Sequence, residues 1–313
     1  MTLSQNAPSQ PALSHDPLWP RAGSWPAPSG RQIDLALIGI PTWRTSLTPG
    51  GAGTTPAAVR AALNYYSEFW PADRSGDRSA DHRALVAEDW GNSAHPDGAE
   101  GEARATAAVA AAAHNATMLV ALGGDNAATV PAALGTWGDR LGTAGLVTVD
   151  AHHDLRDGIS NGSPVRRLVE TGLDGHRVVQ LGIADFANSA EYAARAAAYG
   201  ITVIHRDELA RRPMADAMAE ALEIAGAAGG PIHVDFDVDV CDRSVVPACP
   251  AALPGGISAY ELRAAARTAG GHRLVESADF TEVDASKDAP DGRTVRLVAL
   301  CVLELAAAVR MRS

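Results

Sequence analysis

Two stretches of this 313-residue chain concentrate the side chains that hold divalent cations. An apolar run over residues 146–149 leads into Asp150-Ala151-His152-His153-Asp154. A second stretch, PIHVDFDVD, sets Asp235, Asp237 and Asp239 at alternate positions among Ile232, Val234, Phe236, Val238 and Val240. On an extended chain a spacing of two puts side chains on one face, so Asp150, His152 and Asp154 share a side, and successive aspartates stand about 7 Å apart. Carboxylates crowded in an apolar strand repel one another and take up protons unless a cation neutralises them. A solvated edge strand is the alternative, and the flanking apolar residues oppose it, because buried charges are paired or bind metals. Oxygen and imidazole donors without thiolates suit Mn2+ or a similar divalent ion better than structural zinc.

Two other places could face the same crevice. Leu122-Gly123-Gly124-Asp125-Asn126 ends an apolar run with a tight turn and two oxygen-bearing side chains; read alone it is only a turn. Glu282 follows the run in ESADFTEVD. His153 points away from His152 on an extended chain, which makes it a packed histidine.

Elements must exist to bring these residues together. Strand-like runs are DLALIGI from Asp34, RALVAED from Arg83, TMLVALG from Thr117, GLVTVDA from Gly145, RVVQLGI from Arg177, ITVIHR from Ile201, PIHVDFDVD from Pro231 and RLVESADF from Arg273. Most are unbroken Val/Ile/Leu/Ala runs, as expected of parallel strands covered on both faces. Helical stretches over residues 56–63, 102–114, 163–171, 189–199 and 214–225 separate them. The alternation predicts one α/β domain over residues 31–313, a three-layer α/β/α sandwich with a mostly parallel eight-stranded sheet. Chemistry in such folds gathers at the carboxyl ends of the strands. Residues 1–30 hold six prolines and no hydrophobic period, and read as a flexible arm in which Trp19 and Trp25 could pin the chain to the body or to a neighbouring subunit. Residues 75–79 and 92–101 read as polar, flexible loops.

Composition narrows the partners. Lys and Arg number 26 against 37 Asp and Glu, a formal charge of −11, which argues against nucleic acid and anionic membrane surfaces. Three cysteines without ligand-type spacing fit a reduced, cytoplasmic setting. The longest apolar run, residues 298–309, is too short for a bilayer and contains Glu304.

Several separated motifs in fixed order resemble the arginase–agmatinase–formiminoglutamase family, the ureohydrolases. They are IGIPTWRTSLTPGGAGTTPAAVRAAL at residues 38–63, LGGDN, VDAHHD, DFDVDVCDRSVVPACPAALPGGIS at residues 235–258, and ADFTEVD. The resemblance implies an arginase-like fold, hydrolysis of guanidino or formimino C–N bonds at two Mn2+ ions, and a homo-oligomer. It makes Asp150 a bridging ligand, with His152 and Asp154 ligands of one ion each. Registration on Asp242-Arg243 and Pro247 puts further ligands at Asp237 and Asp239, and puts Asp235 where the family usually has Ser. A rival register on Asp235 and Asp237 requires a two-residue insertion. Asn126 stands where the family's G-G-D-H carries a metal-binding His; its amide oxygen is a weaker donor, for which Asp235 could compensate from behind. Glu282 matches the acidic residue that grips the substrate's guanidinium or formimino nitrogen.

Within the family, Ser160-Asn161-Gly162-Ser163-Pro164 lacks the His that precedes G-x-P in arginases and agmatinases. Together with Asp154-Leu155-Arg156 it resembles formiminoglutamase. Arg156 and Asn161 become substrate-binding residues, Arg156 by offering a guanidinium fork to a carboxylate. The alternative is a surface arginine paired with Asp157. A second cation could come from Arg44 or Arg166. The implied reaction is hydrolysis of N-formimino-L-glutamate to L-glutamate and formamide, a step of histidine breakdown, with Asp154 returning a proton to the departing amine and Glu282 stabilising the amidinium. Two rivals remain: a ureohydrolase of another guanidino acid, and a non-catalytic relative that has lost a metal with Asn126.

Overall fold

Apolar runs with no polar face form strands that are buried on both sides, and in the computed structural model, which describes residues 16–70 and 84–312, such runs form the middle of one eight-stranded sheet. The strands are β1 Ile33–Ile40, β2 Ala87–Asn92, β3 Ala116–Gly123, β4 Gly145–Val149, β5 Val178–Ile183, β6 Thr202–His205, β7 Ile232–Asp237 and β8 Val275–Thr281. Their order is β2-β1-β3-β8-β7-β4-β5-β6, and every neighbouring pair is parallel. The four central strands β3, β8, β7 and β4 therefore finish side by side at one edge.

Helices cover both faces. On one lie α1 (Thr55–Leu63), α7 (Met214–Ala225), α8 (Ala259–Gly271) and α9 (Arg293–Val309), with the short α6 (Arg206–Leu209) feeding Leu209 into the same core. On the other lie α2 (Gly98–Ala113), α3 (Thr129–Trp137), α4 (Pro164–Thr171) and α5 (Ala190–Tyr199). The three-layer sandwich expected from the alternation of runs is the observed architecture. The C-terminal α9 packs against α1 and α8, and its buried Glu304 accepts from Arg263 and Arg267 at 2.6 Å each. No helix among the described residues is long and apolar enough to cross a membrane.

Some expectations change. The second strand starts at Ala87 instead of Arg83, which lies outside the described residues. It is an edge strand whose inner end is Ala87 and Glu88, the latter buried because it accepts from the Ser29 backbone N–H at 3.1 Å. Helix α3 escaped the sequence reading because it is apolar nearly all round and carries Pro131 and Gly135. Helix α8 escaped it too, although a capping box marks its start, in which Ser258 and Glu261 satisfy each other's backbone N–H groups. The loop expected over residues 92–101 is shorter, since β2 runs to Asn92 and α2 begins at Gly98. The loop expected at residues 75–79 lies outside the described residues, as do residues 1–15 of the arm. Further along that arm, Ala22 is buried and donates to Tyr66 O at 3.0 Å, and Trp25 donates from Nε1 to Glu68 at 2.6 Å while packing on the main core.

Candidate metal centre

The ligand-type residues converge where β3, β8, β7 and β4 end, but turns bring them together and not strand alternation. β4 stops at Val149; the Asp150 N–H still donates to Leu181 O at 3.0 Å, after which the chain bends. The bend ends at Asp154 with φ +52, a left-handed conformation that costs a non-glycine residue about 1–2 kcal/mol. β7 likewise stops at Asp237, whose carboxylate accepts from the Asp239 N–H at 2.8 Å and starts one 3-10 turn over Val238–Val240. Asp239 thus reaches the site through this turn, a correction to the shared strand face. Glu282 follows β8 with φ +62, held by its N–H to Gly124 O at 2.9 Å. Strained positions of this kind persist where surrounding contacts over-determine them, and they concentrate at functional sites.

Two ligand groups result. Asp150, His152 and Asp239 present donor atoms within 4.8 Å of one another, and so do Asp150, Asp154 and Asp237. Asp150 belongs to both, the geometry a pair of ions needs. His152 Nδ1 lies 2.7 Å from Asp239 Oδ2 and 3.6 Å from Asp150 Oδ1. Asp150 Oδ2 is buried with no hydrogen-bond partner, an orphaned acceptor aimed where a cation would sit. Asp235 stays apart: it lies in β7 in register with Asp279 of β8 and reaches Thr281 Oγ1 at 3.4 Å.

Electrostatics mark the same spot. Burial, then the charge of Asp239, pushes Asp150 up to about 7. Burial raises Asp154 and Asp237 well above the usual carboxylate range, and nearby carboxylates add to it. Burial opposes ionisation of both Asp239 and His152, yet their mutual attraction wins: Asp239 falls, and His152, drawn by Asp239 and Asp150, rises to about 11. Burial lifts Glu282 to about 7. Carboxylates buried this close together take up protons unless a cation neutralises them.

Asn126 sits beside Asp154. Its Nδ2 donates to Asp154 Oδ2 at 2.5 Å, while its Oδ1 accepts from Thr129 at 2.6 Å and Thr281 at 3.1 Å. Its backbone N–H donates to Glu282 Oε1 at 2.8 Å, and Asn161 Nδ2 donates to the same oxygen at 2.8 Å. Asn161 also accepts from the Leu47 N–H at 3.1 Å, and Asp125 accepts from Thr45 and Ser46 at 3.1 and 3.0 Å, so the loop after β1 is tied across the site.

Two residues that sequence reasoning missed hold the ligand loop. Gln180 contacts His153 Nδ1 through Oε1 at 2.6 Å and donates to His153 O at 2.8 Å. Asn188 accepts from the His153 N–H at 2.9 Å and donates to Ala151 O at 3.0 Å. His153 is accordingly a buried, packed histidine, as its direction predicts. The available signal was a glutamine in the middle of the apolar run RVVQLGI.

A cavity of about 420 Å³ opens over the cluster, lined among others by Arg156, Asn161, Phe186, Tyr192 and Glu282. Asp157 pairs with Arg195 at 2.8 Å and not with Arg156, whose guanidinium carbon stands 6.0 Å from the Tyr192 ring centroid. Among the described residues Arg156 has no carboxylate partner. The two further arginines do not line this cavity. Arg44 lies over Trp43 and beside a different cavity, and Arg166 is engaged by Glu170 and by Arg156 O.

A family model described as the arginase family matches residues 33–308. The chain is 32% identical over 269 residues to a formimidoylglutamase of Halalkalibacterium halodurans, spanning 83% of this chain and 82% of that protein. The crystal structure of formimidoylglutamase from Bacillus subtilis aligns with a TM-score of 0.86 at 25% identity, over 98% of this chain and 97% of that one. Trypanosoma cruzi formiminoglutamase with Mn2+ aligns with a TM-score of 0.81 at 24% identity, over 94% and 99% of the two chains.

Proposed function

The chain is a member of the arginase family, hydrolases of amidino and guanidino C–N bonds, and from that premise we propose that it hydrolyses N-formimino-L-glutamate to L-glutamate and formamide. The observation that supports an acidic substrate is Arg156, a guanidinium in the pocket that pairs with no carboxylate among the described residues. A dicarboxylic substrate supplies the missing anion.

The donor set fits two divalent ions. Asp150, His152 and Asp239 would hold one, and Asp150, Asp154 and Asp237 the other, with Asn126 bordering the second. Oxygen and imidazole donors favour Mn2+, the ion found with the T. cruzi relative. Such a pair supplies Lewis-acid polarisation and acidifies water at neutral pH.

The protein's own groups do the rest. Arg156 anchors a substrate carboxylate through a charge-assisted pair and fixes which end of the molecule meets the cluster. Glu282, with Oε1 held by Asn126 and Asn161, turns Oε2 to the formimino nitrogen and stabilises the amidinium charge. Asp154 is buried at the edge of the cluster, placed to carry the proton taken from water. Water oxygen bonds to the formimino carbon, the bond from that carbon to the glutamate nitrogen breaks, and the proton held by Asp154 passes to the leaving amine.

A second reading rests on the same arginine. Neither Arg44 nor Arg166 lines the cavity, so one guanidinium matches one carboxylate, as in a guanidino acid. Purified protein loaded with Mn2+ and offered each substrate decides. Formamide from formiminoglutamate, with little urea from guanidinobutyrate, arginine or agmatine, is the expected result. Urea from guanidinobutyrate as the dominant product selects the second reading. No turnover with fewer than one ion per chain leaves a non-catalytic binding protein.

A further inference from the structure

The loop between β4 and α4 is gripped by two arginines from two helices, and the proposed reaction uses neither. Arg195 of α5 donates from Nη1 to Leu155 O at 2.6 Å and to Asp157 Oδ1 at 2.8 Å. Arg166 of α4 donates from Nε to Arg156 O at 2.7 Å and from Nη2 to Gly158 O. Arg156 itself donates its N–H to Gly162 O at 2.9 Å. Its stretch of backbone is thus held from residue 155 to residue 158. Its guanidinium lines the cavity and pairs with no carboxylate among the described residues.

We propose that Arg195 is a positioning residue for substrate binding: it holds the Asp157 carboxylate away from Arg156 and so keeps that guanidinium open to a carboxylate of the substrate. This rests on the reading of Arg156 as the anchor of an acidic substrate.

Competition between chain neighbours carries it. Asp157 follows Arg156 directly and is exposed, within reach of the long, flexible arginine side chain beside it. Groups tethered this closely meet at an effective concentration in the millimolar range, with no second molecule to bring in. A pair between them hides Arg156 from any ligand. Arg195 decides the competition by geometry. Both hydrogens of its Nη1 are used, one on the backbone oxygen before Arg156 and one on the carboxylate after it. Satisfying the two at once fixes the direction in which Asp157 points. The Arg195 guanidinium also stands 5.6 Å from the Tyr192 ring centroid, and that of Arg156 stands 6.0 Å from it, so the two cations share one aromatic support. Arg166 does not take this part, because Glu170 and two backbone oxygens occupy its side chain. An arginine kept free in this way offers its fork to an anion without first breaking a pair.

The test measures kcat and KM for formiminoglutamate on the Mn2+-loaded wild type, R195A, D157N, R195A/D157N and R195A/E170Q, with R156A alongside. R195A is expected to raise KM about two- to six-fold with kcat nearly unchanged, which is the share of Arg156 that an exposed ion pair of ordinary strength withdraws. D157N alone should behave as the wild type does. R195A/D157N should return KM to near the wild-type value, a recovery that a merely damaged loop does not show. R195A/E170Q has the same net charge as R195A/D157N but keeps Asp157, and its KM should stay raised. A wild-type KM for R195A overturns the inference alone, as does a raised KM that D157N fails to lower or that E170Q lowers equally well. Unchanged kinetics in R156A overturn it together with the reading of Arg156. If guanidinobutyrate is the acid turned over, the same series with that substrate applies, since it too presents a carboxylate; turnover of neither acid overturns the inference and the proposed function together.

Discussion

Gly162 lies against the stem of Arg156: a methyl group on this glycine would stand 2.6 Å from Arg156 Cδ and 3.0 Å from Nε. The backbone there is not left-handed, so alanine is tolerated by the chain itself, and the arginine must move aside. Gly162→Ala is therefore expected to raise KM for formiminoglutamate several-fold with kcat nearly unchanged. Arg156→Ala should lower kcat/KM by about 10–100-fold, the value of a charge-assisted hydrogen bond of about 1.5–3 kcal/mol. Added to Arg156→Ala, the glycine change should have no further effect, because both act through one guanidinium. Steady-state formamide release measures all three, and an additive double variant would sink the assignment.

Glu282→Gln retains an Oε1 acceptor for the Asn126 N–H and for Asn161 Nδ2, and removes only the charge. The expected outcome is a loss of about 100–1000-fold in kcat, as for other groups that stabilise developing charge, with Mn2+ stoichiometry unchanged. Wild-type turnover in this variant would remove Glu282 from the reaction.

Asn161 joins Glu282 to the loop at Leu47. Asn161→Ala should cost about 10–100-fold in kcat/KM, since small misplacements of a positioned group have effects of that size. Circular dichroism and metal content should remain those of the wild type, which separates lost positioning from lost folding.

The ion-free cluster makes stability depend on pH. Asp150 and Glu282 titrate at about 7 in the folded chain against 3.8 and 4.5 for unperturbed groups. A carboxyl whose folded pKa is raised costs nothing below its unfolded value; the cost grows between the two values and is complete above the folded one. His152, raised to about 11 from 6.5, acts in the same direction: its stabilising charge is complete below 6.5 and lost as pH climbs toward 11. Protein stripped with EDTA should therefore show a falling Tm from pH 5 to pH 8. Mn2+ should raise Tm more at pH 8 than at pH 5, where protons compete for the ligands. A flat or rising Tm for the stripped protein contradicts this account.

Much of the site is visible in the chain because metal-ligand residues stand in runs that are otherwise apolar. Asp150, His152, Asp154 and Asp237 can be picked out that way, and the strands that carry them follow from unbroken Val, Ile and Leu. What cannot be read is anything made by a turn or by a distant partner. Asp239 looks like the next step of a strand, yet the Asp237 carboxylate captures its N–H and folds it into a 3-10 turn. Asn161 looks like a substrate contact, yet its amide meets Glu282 across 121 residues of sequence. The rivalry between Arg156 and Asp157 for a partner is invisible locally, because Arg195 in a separate helix takes the aspartate.

The place of β8 in the sheet bears on how the protein is made. β8 runs from Val275 to Thr281, is the last strand in chain order, and is inserted between β3 and β7. A chain emerging from the ribosome can complete its Asp-Ala-His-His-Asp segment at residue 154 while the middle of its sheet is still open. Glu282 and Thr281 arrive only at the end of β8, so the cluster acquires its last wall after nearly nine-tenths of the 313 residues have been synthesised. Domains fold as units during synthesis, and contacts between distant segments close late. A chain cut short before residue 275 therefore carries all five acidic and imidazole candidates at the ends of β4 and β7 and lacks the wall that β8 sets beside them.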